Sequence, residues 1–161
     1  MCDITTFKLK GYEWLSNMAF VDILYDGTTY PSVENFYQAM KFKRGWTFEA
    51  SAKRRNVRLE LSRMNPYEAK KFSKFNQMTS KIFDCEKLNI MKFGLLQKFN
   101  QEPFKSKLLS TGDCRIQEGN YWGDVYWGVD LKTGIGENNL GRLIMEIRSE
   151  LRLNLTGECD E

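Results

Sequence analysis

The chain has 161 residues, 42% of them hydrophobic and 14% aromatic, enough material for one sizeable core. It carries a net charge of +3 and no histidine, which excludes Ser–His and Cys–His nucleophile pairs, HExxH zinc sites and histidine general bases. Catalysis here must draw on carboxylates, amines, phenols, thiols or backbone groups, and a metal would need oxygen ligands.

The N-terminal "MCDITTFKLKG" lacks a positive start followed by an apolar run, and no apolar stretch approaches bilayer length. Cys2, Cys85, Cys114 and Cys159 are scattered without paired spacing, the pattern of free thiols in a reducing compartment. These features predict a cytoplasmic protein without membrane contact. "FKLKGYEWLSNMAF" and "VDILYDGTTY" read as short extended pieces, with Asp26-Gly27 as a hairpin turn. Pro31-Ser32 then opens a helix, with Ser32 as N-cap and Glu34 in the first turn. After a break at Arg44-Gly45-Trp46, "TFEASAKRR" and "VRLELSRM" read as short polar helices. "NPYEAKKFSKFNQ" opens with Asn65 as cap and Pro66 at the first helical position. "DCEKLNIMKFGLLQKFNQ" carries Leu88, Met91, Leu95 and Phe99 at helical spacing, and "KSKLLSTGDCRIQEGN" reads as helix end, turn and strand. The closing "NNLGRLIMEIRSELRLNL" has an apolar stripe of Leu140, Leu143, Ile144, Ile147 and Leu151. No repeat or linker interrupts the chain. The expected fold is one compact α+β domain over residues 1–161, helix-rich with a small β element.

Three stretches could carry chemistry. In the first helix Val33, Phe36, Tyr37 and Met40 form a core stripe, and Glu34, Gln38 and Lys41 border it within roughly a 60° arc. Taken alone, a Glu/Gln/Lys border is more often solvated. Glu34, however, sits where the helix dipole favours its ionised form. Lys41 could pair with it or act as an amine nucleophile if desolvated. The segment "EGNYWGDVYWGVD", residues 118–130, crowds two Trp and two Tyr among glycines and acids. It reads either as a base-stacking loop or as an aromatic plug. "GIGENNLGRL" places glycines before the last helix, a weak phosphate-cradle pattern, and "LLSTGD" is a turn that could bring a hydroxyl and a carboxylate to a site. Residues 41–107 hold 17 basic residues against six acidic ones, a belt for phosphate-bearing ligands or a solvated surface.

In order along the chain stand "WLSNM" (14–18), "YPSVENFYQAMKF" (30–42), "LLSTGD" (108–113), E-x5-D-x-x-WG (118–128) and G-x-N-x-LG-x-x-x-M (136–145). Five such elements in register resemble the NADAR family, the YbiA-like N-glycosidases, over nearly the whole chain. The resemblance implies a compact α+β fold, no metal and no organic cofactor. It implies hydrolysis of the N-glycosidic bond between a ribose and a base-like amine. The implied substrates are phosphoribosylated pyrimidine intermediates of riboflavin synthesis, or ADP-ribosylated guanine, including guanine in DNA. Matched position by position, Glu34, Lys41 and Asp124 take the catalytic places. Asn17, Trp127-Gly128 and Asn138 take places lining the pocket, with Gln38 beside Glu34 and Trp122 as a second stacking ring. The sequence departs from many relatives at Asn35, where they carry histidine, and in its extra Trp122-Gly123. A catalytically silent nucleotide- or nucleic-acid-binding module is the alternative from another class.

Overall fold

The structure is a computed structural model that describes residues 3–42, 48–75 and 81–157. The chain divides into two compact units, Asn17–Lys98 and a second formed by Met1–Ser16 with Phe99–Glu161.

The unit Asn17–Lys98 is built around one short, wholly buried helix. β2 (Phe20–Tyr25) and β3 (Thr28–Ser32) pair antiparallel through the Asp26-Gly27 turn, with Tyr25 opposite Thr28. Asp26 and Gly27 have φ of 48° and 70°, the left-handed pair that a two-residue hairpin turn demands. α1 (Val33–Met40) follows at once, and the Ser32 hydroxyl caps it by accepting from Asn35 N at 3.0 Å. All eight residues of α1 are buried, because it packs on β3, α2 (Phe48–Arg63) and α3 (Pro66–Phe75). Asn35 Nδ2 donates to Leu61 O at 2.8 Å and Met64 O at 2.9 Å, tying the end of α2 to α1. α4 (Lys81–Phe99) presses on the same helix through Gly94, where an added Cβ would lie 3.0 Å from Phe36 and 3.2 Å from Val33. The Phe83 and Phe93 rings of α4 stand 5.3 Å from Tyr37 and 5.4 Å from Phe36. A fully buried cap without its partner costs about 0.5–2 kcal/mol. Ser32→Ala is therefore expected to lower unfolding free energy by about 1 kcal/mol in a denaturant titration.

Several expectations are met here, and two change. Asn65 caps α3 as a capping box, its Oδ1 accepting from Glu68 N while Asn65 N donates to Glu68 Oε2, both at 3.0 Å. The two short polar helices are one, since no Gly or Pro breaks the backbone between Phe48 and Arg63. Leu88 is 39% exposed, so the stripe of α4 runs instead through Ile90, Met91, Leu95 and Phe99. The break expected at Arg44-Gly45-Trp46 lies outside the described residues. Lys98 is fully buried, and desolvation pushes its pKa down to about 7.

The second unit is mostly loop held against one long helix. β1 (Asp3–Ile4) pairs parallel with β4 (Arg115–Ile116), and β5 (Gly119–Asn120) parallel with β6 (Val129–Asp130). α5 (Phe104–Ser110) and α6 (Asn139–Gly157) pack together, with Leu140, Ile144, Ile147 and Leu151 buried and Leu143 half-buried. Expected extended structure near residue 13 is instead a 3-10 turn, Glu13–Leu15. Two local bonds favour it: Gly11 N donates to Glu13 Oε2, and Trp14 Nε1 to Gly11 O, both at 2.9 Å. Cys85 is free and exposed, but Cys114 is disulfide-bonded, which corrects the reading of four free thiols. Linear spacing does not report which cysteines the fold brings together, so it carries no argument about compartment. Cys2 and Cys159 lie outside the described residues. Among the described residues no helix is long and apolar enough to cross a membrane.

Candidate active site

In the unit Asn17–Lys98 the polar border of α1 is a buried row and not a solvated face. Glu34 and Gln38 are buried, one helical turn apart, and Gln38 Nε2 donates to Glu34 Oε1 at 2.7 Å. Glu34 N donates to Asn17 O at 3.0 Å, which places Asn17 at the helix entrance. Asn17 Nδ2 reaches Met91 Sδ at 3.5 Å, a weak acceptor. The remaining amide oxygens, Asn17 Oδ1 and Gln38 Oε1, are both buried without a hydrogen-bond partner. A buried acceptor left empty costs about 1–3 kcal/mol. Gln38 Oε1, one helical turn from the Glu34 carboxylate, and Asn17 Oδ1, at the entrance of α1, are thus two acceptors that a hydroxyl or N–H donor would satisfy.

Lys41 closes this row at the C-cap of α1. Its ammonium lies 5.6 Å from the centre of the Tyr37 ring and 5.9 Å from that of Phe83. Burial holds its pKa below the ordinary lysine value; Glu34 opposes that shift, Lys70 adds to it and Asp84 opposes it. Desolvation is the largest effect, so the neutral amine is more accessible than on a surface lysine.

The aromatic stretch forms a second cluster, in the other unit. Its organiser is Asn120, which the sequence reading passed over. Asn120 Oδ1 accepts from Trp122 N at 3.2 Å and Asp124 N at 3.0 Å, while its Nδ2 donates to Asp124 O at 2.7 Å and Val129 O at 3.2 Å. A lone Asn among glycines and aromatics is the available signal, since Asn side chains mimic backbone in turns. Asp124 Oδ1 accepts from Trp127 N at 2.9 Å and Tyr126 N at 3.2 Å. One carboxylate oxygen thus folds the loop. Trp127 is half-buried and edge-on to Tyr126 at 5.0 Å, whereas Trp122 is 56% exposed with Lys8 Nζ 4.8 Å above its ring. Gly128 is buried where a Cβ would collide with the Glu118 carbonyl. Asn138 spends both ends of its amide on backbone, accepting from Glu118 N and donating to Ile116 O, each at 3.0 Å. That geometry makes it a clamp under the loop.

Two weaker motifs have structural employment. The amides of Asn138, Asn139 and Leu140 donate to Gly128, Tyr126 and Trp127 carbonyls, so the glycine-led start of α6, a weak phosphate-cradle pattern in the sequence, binds its own loop. In "LLSTGD" Asp113 pairs with Arg152 at 2.6 Å, and Thr111 Oγ1 accepts from Arg148 at 2.8 Å. Among the described residues no group of three or more Cys, Asp or Glu side chains could hold a metal ion.

Residues 6–152 match the model of the NADAR domain. The chain belongs to the NADAR domain family. It is 31% identical over 143 residues to N-glycosidase YbiA of Escherichia coli, covering 88% of this chain and 83% of that protein. It is 31% identical over 152 residues to N-glycosidase Npun_R5314 of Nostoc punctiforme, covering 92% of both. It is also 31% identical over 148 residues to riboflavin biosynthesis protein VVA0006 of Vibrio vulnificus; the match takes in 89% of this chain and only 36% of that longer protein. The solved NMR structure of E. coli YbiA superposes with a TM-score of 0.76 at 28% identity, covering 97% of this chain and 89% of that one. The helix-rich α+β architecture of this NADAR chain is thus that of YbiA.

Proposed function

We propose that this NADAR chain is an N-glycosidase that hydrolyses the bond between a ribose and a base-like amine, acting on a small phosphoribosyl or ADP-ribosyl compound. The observation that carries this reading is the polar row along α1 and its two ends: the buried Glu34 carboxylate, the empty amide acceptors of Gln38 and Asn17, and the half-buried, desolvated Lys41 amine. Sugar hydroxyls supply the donors that Asn17 Oδ1 and Gln38 Oε1 lack. Relatives named N-glycosidase support the activity class, and one named for riboflavin biosynthesis supports a phosphoribosylated pyrimidine as the first substrate to try.

In the mechanism we favour, the neutral Lys41 amine attacks C1′ of the ribose. A C–N bond to lysine forms as the C1′–N bond to the base breaks, and the base leaves with the electron pair and is protonated. The sugar ring opens to an imine on Lys41, and water then adds and expels the amine, releasing free sugar. Glu34 accepts the proton released by the attacking amine, and its carboxylate offsets positive charge developing on the ribose; the family resemblance gives Asp124 the same electrostatic role. The resemblance likewise gives Trp127, with Trp122 as a second ring, the role of stacking on the base.

The test is to incubate the protein with a phosphoribosylated aminopyrimidine and, separately, with ADP-ribosylated guanosine and ADP-ribosylated DNA. Release of base or ADP-ribose is followed by mass. Release from at least one supports the reading. Ligand binding with a steep salt dependence and no release from any would establish a silent binding module instead. Trp127→Ala is expected to weaken binding of a base-bearing inhibitor by about 1–3 kcal/mol. Unchanged affinity with a lowered thermal midpoint would mark its ring as a core plug.

A further inference from the structure

Hairpin β2–β3 and helix α2 enclose a cleft of about 230 Å³ that none of Asn17, Glu34, Gln38 or Lys41 lines. Tyr25, Asp26, Thr28 and Tyr30 face it from the hairpin, and Arg55 and Arg58 from α2. The two arginines are three residues apart, hence neighbours on one helical face. Arg58 Nε is buried without a hydrogen-bond partner, a costly arrangement that an incoming oxyanion would relieve. Tyr30 is buried, and desolvation holds its phenol pKa above the ordinary value, so the hydroxyl remains a donor. Asp26 is exposed on the left-handed turn and is the one carboxylate in the lining.

We propose that this cleft binds a small phosphate monoester bearing a nearby hydroxyl, with the phosphate on Arg55 and Arg58 and the hydroxyl donating to Asp26. Guanidinium groups recognise phosphate oxygens through paired N–H donors, which a compact ammonium cannot do. Asp26 repels both dianions, but only the ester carries an alcohol hydroxyl set away from the phosphate that can donate to it while the phosphate oxygens stay on the arginines, so it favours the ester over inorganic phosphate. The volume lies below the roughly 300–1,000 Å³ of pockets for drug-sized ligands, which restricts the occupant to a fragment such as a phosphorylated polyol.

The probes are glycerol 3-phosphate and inorganic phosphate, titrated calorimetrically into the full chain at constant ionic strength. Neither contains an N-glycosidic bond, so the outcome is independent of the glycosidase reading. Glycerol 3-phosphate is expected to bind at least ten-fold more tightly than inorganic phosphate. Arg58→Gln and the exposed Arg55→Gln should each weaken it at least ten-fold, with the thermal midpoint confirming the fold. Asp26→Asn should erase the preference between the two probes. No binding, equal binding of both probes to the unaltered chain, or unchanged affinity in Arg55→Gln would overturn the proposal.

Discussion

Lys41→Arg is expected to abolish base release and to abolish capture of the sugar by borohydride in the same variant. The imine route needs a neutral amine and a nitrogen that can form a C=N bond to the sugar. Lysine at this position is favoured toward neutrality because burial lowers its pKa more than Glu34 raises it. Arginine keeps the charge and much of the volume, but it stays protonated and forms no such adduct. In the unaltered protein, borohydride added during turnover should leave a sugar-sized mass increment on Lys41. The rate should rise with pH toward the lowered lysine pKa, because only the unprotonated fraction attacks. Stability carries the same signature. Between the folded and the ordinary lysine pKa the unfolded chain binds more protons at this site, so the contribution of Lys41 to stability rises with pH across that window. Lys41→Arg should lose that rise. A Lys41→Arg enzyme with undiminished turnover would instead leave water as the nucleophile, with Glu34 as its base.

The local signals in the sequence were strong where backbone chemistry is local. Ser32, Asn65 and the Asp26-Gly27 turn each act through bonds within a few residues, and each stands where the residue types place it. The buried state of Glu34 and Gln38 was not legible in that way. A Glu/Gln/Lys border looks solvated until α2, α3 and α4 close on the helix, and those contacts come from residues far along the chain. The same holds for Asn120 and Asn138, whose amides bond to backbone that sequence distance conceals. The family motif names Glu34, Asp124 and Asn138 alike, while what each side chain bonds to emerges only from hydrogen-bond geometry.

That division gives Asp124→Asn its value as a test. Asp124 holds the loop through one oxygen, Oδ1, which accepts from the amides of Tyr126 and Trp127. Asparagine retains an amide oxygen able to take both bonds, so the loop should keep its conformation and the thermal midpoint should barely move. The substitution removes the negative charge. If that charge offsets the oxocarbenium-like cation, kcat should fall on the order of 10²–10³-fold, the usual scale for losing one preorganised electrostatic partner. KM should change far less, because the neutral substrate sugar gains little from the carboxylate before the bond stretches. Asp124→Ala is the companion variant. It loses both loop bonds as well as the charge, and should lower the thermal midpoint along with kcat. If Asp124→Asn keeps full kcat on an intact fold, the carboxylate serves only to fold the loop, and charge stabilisation must then rest on Glu34.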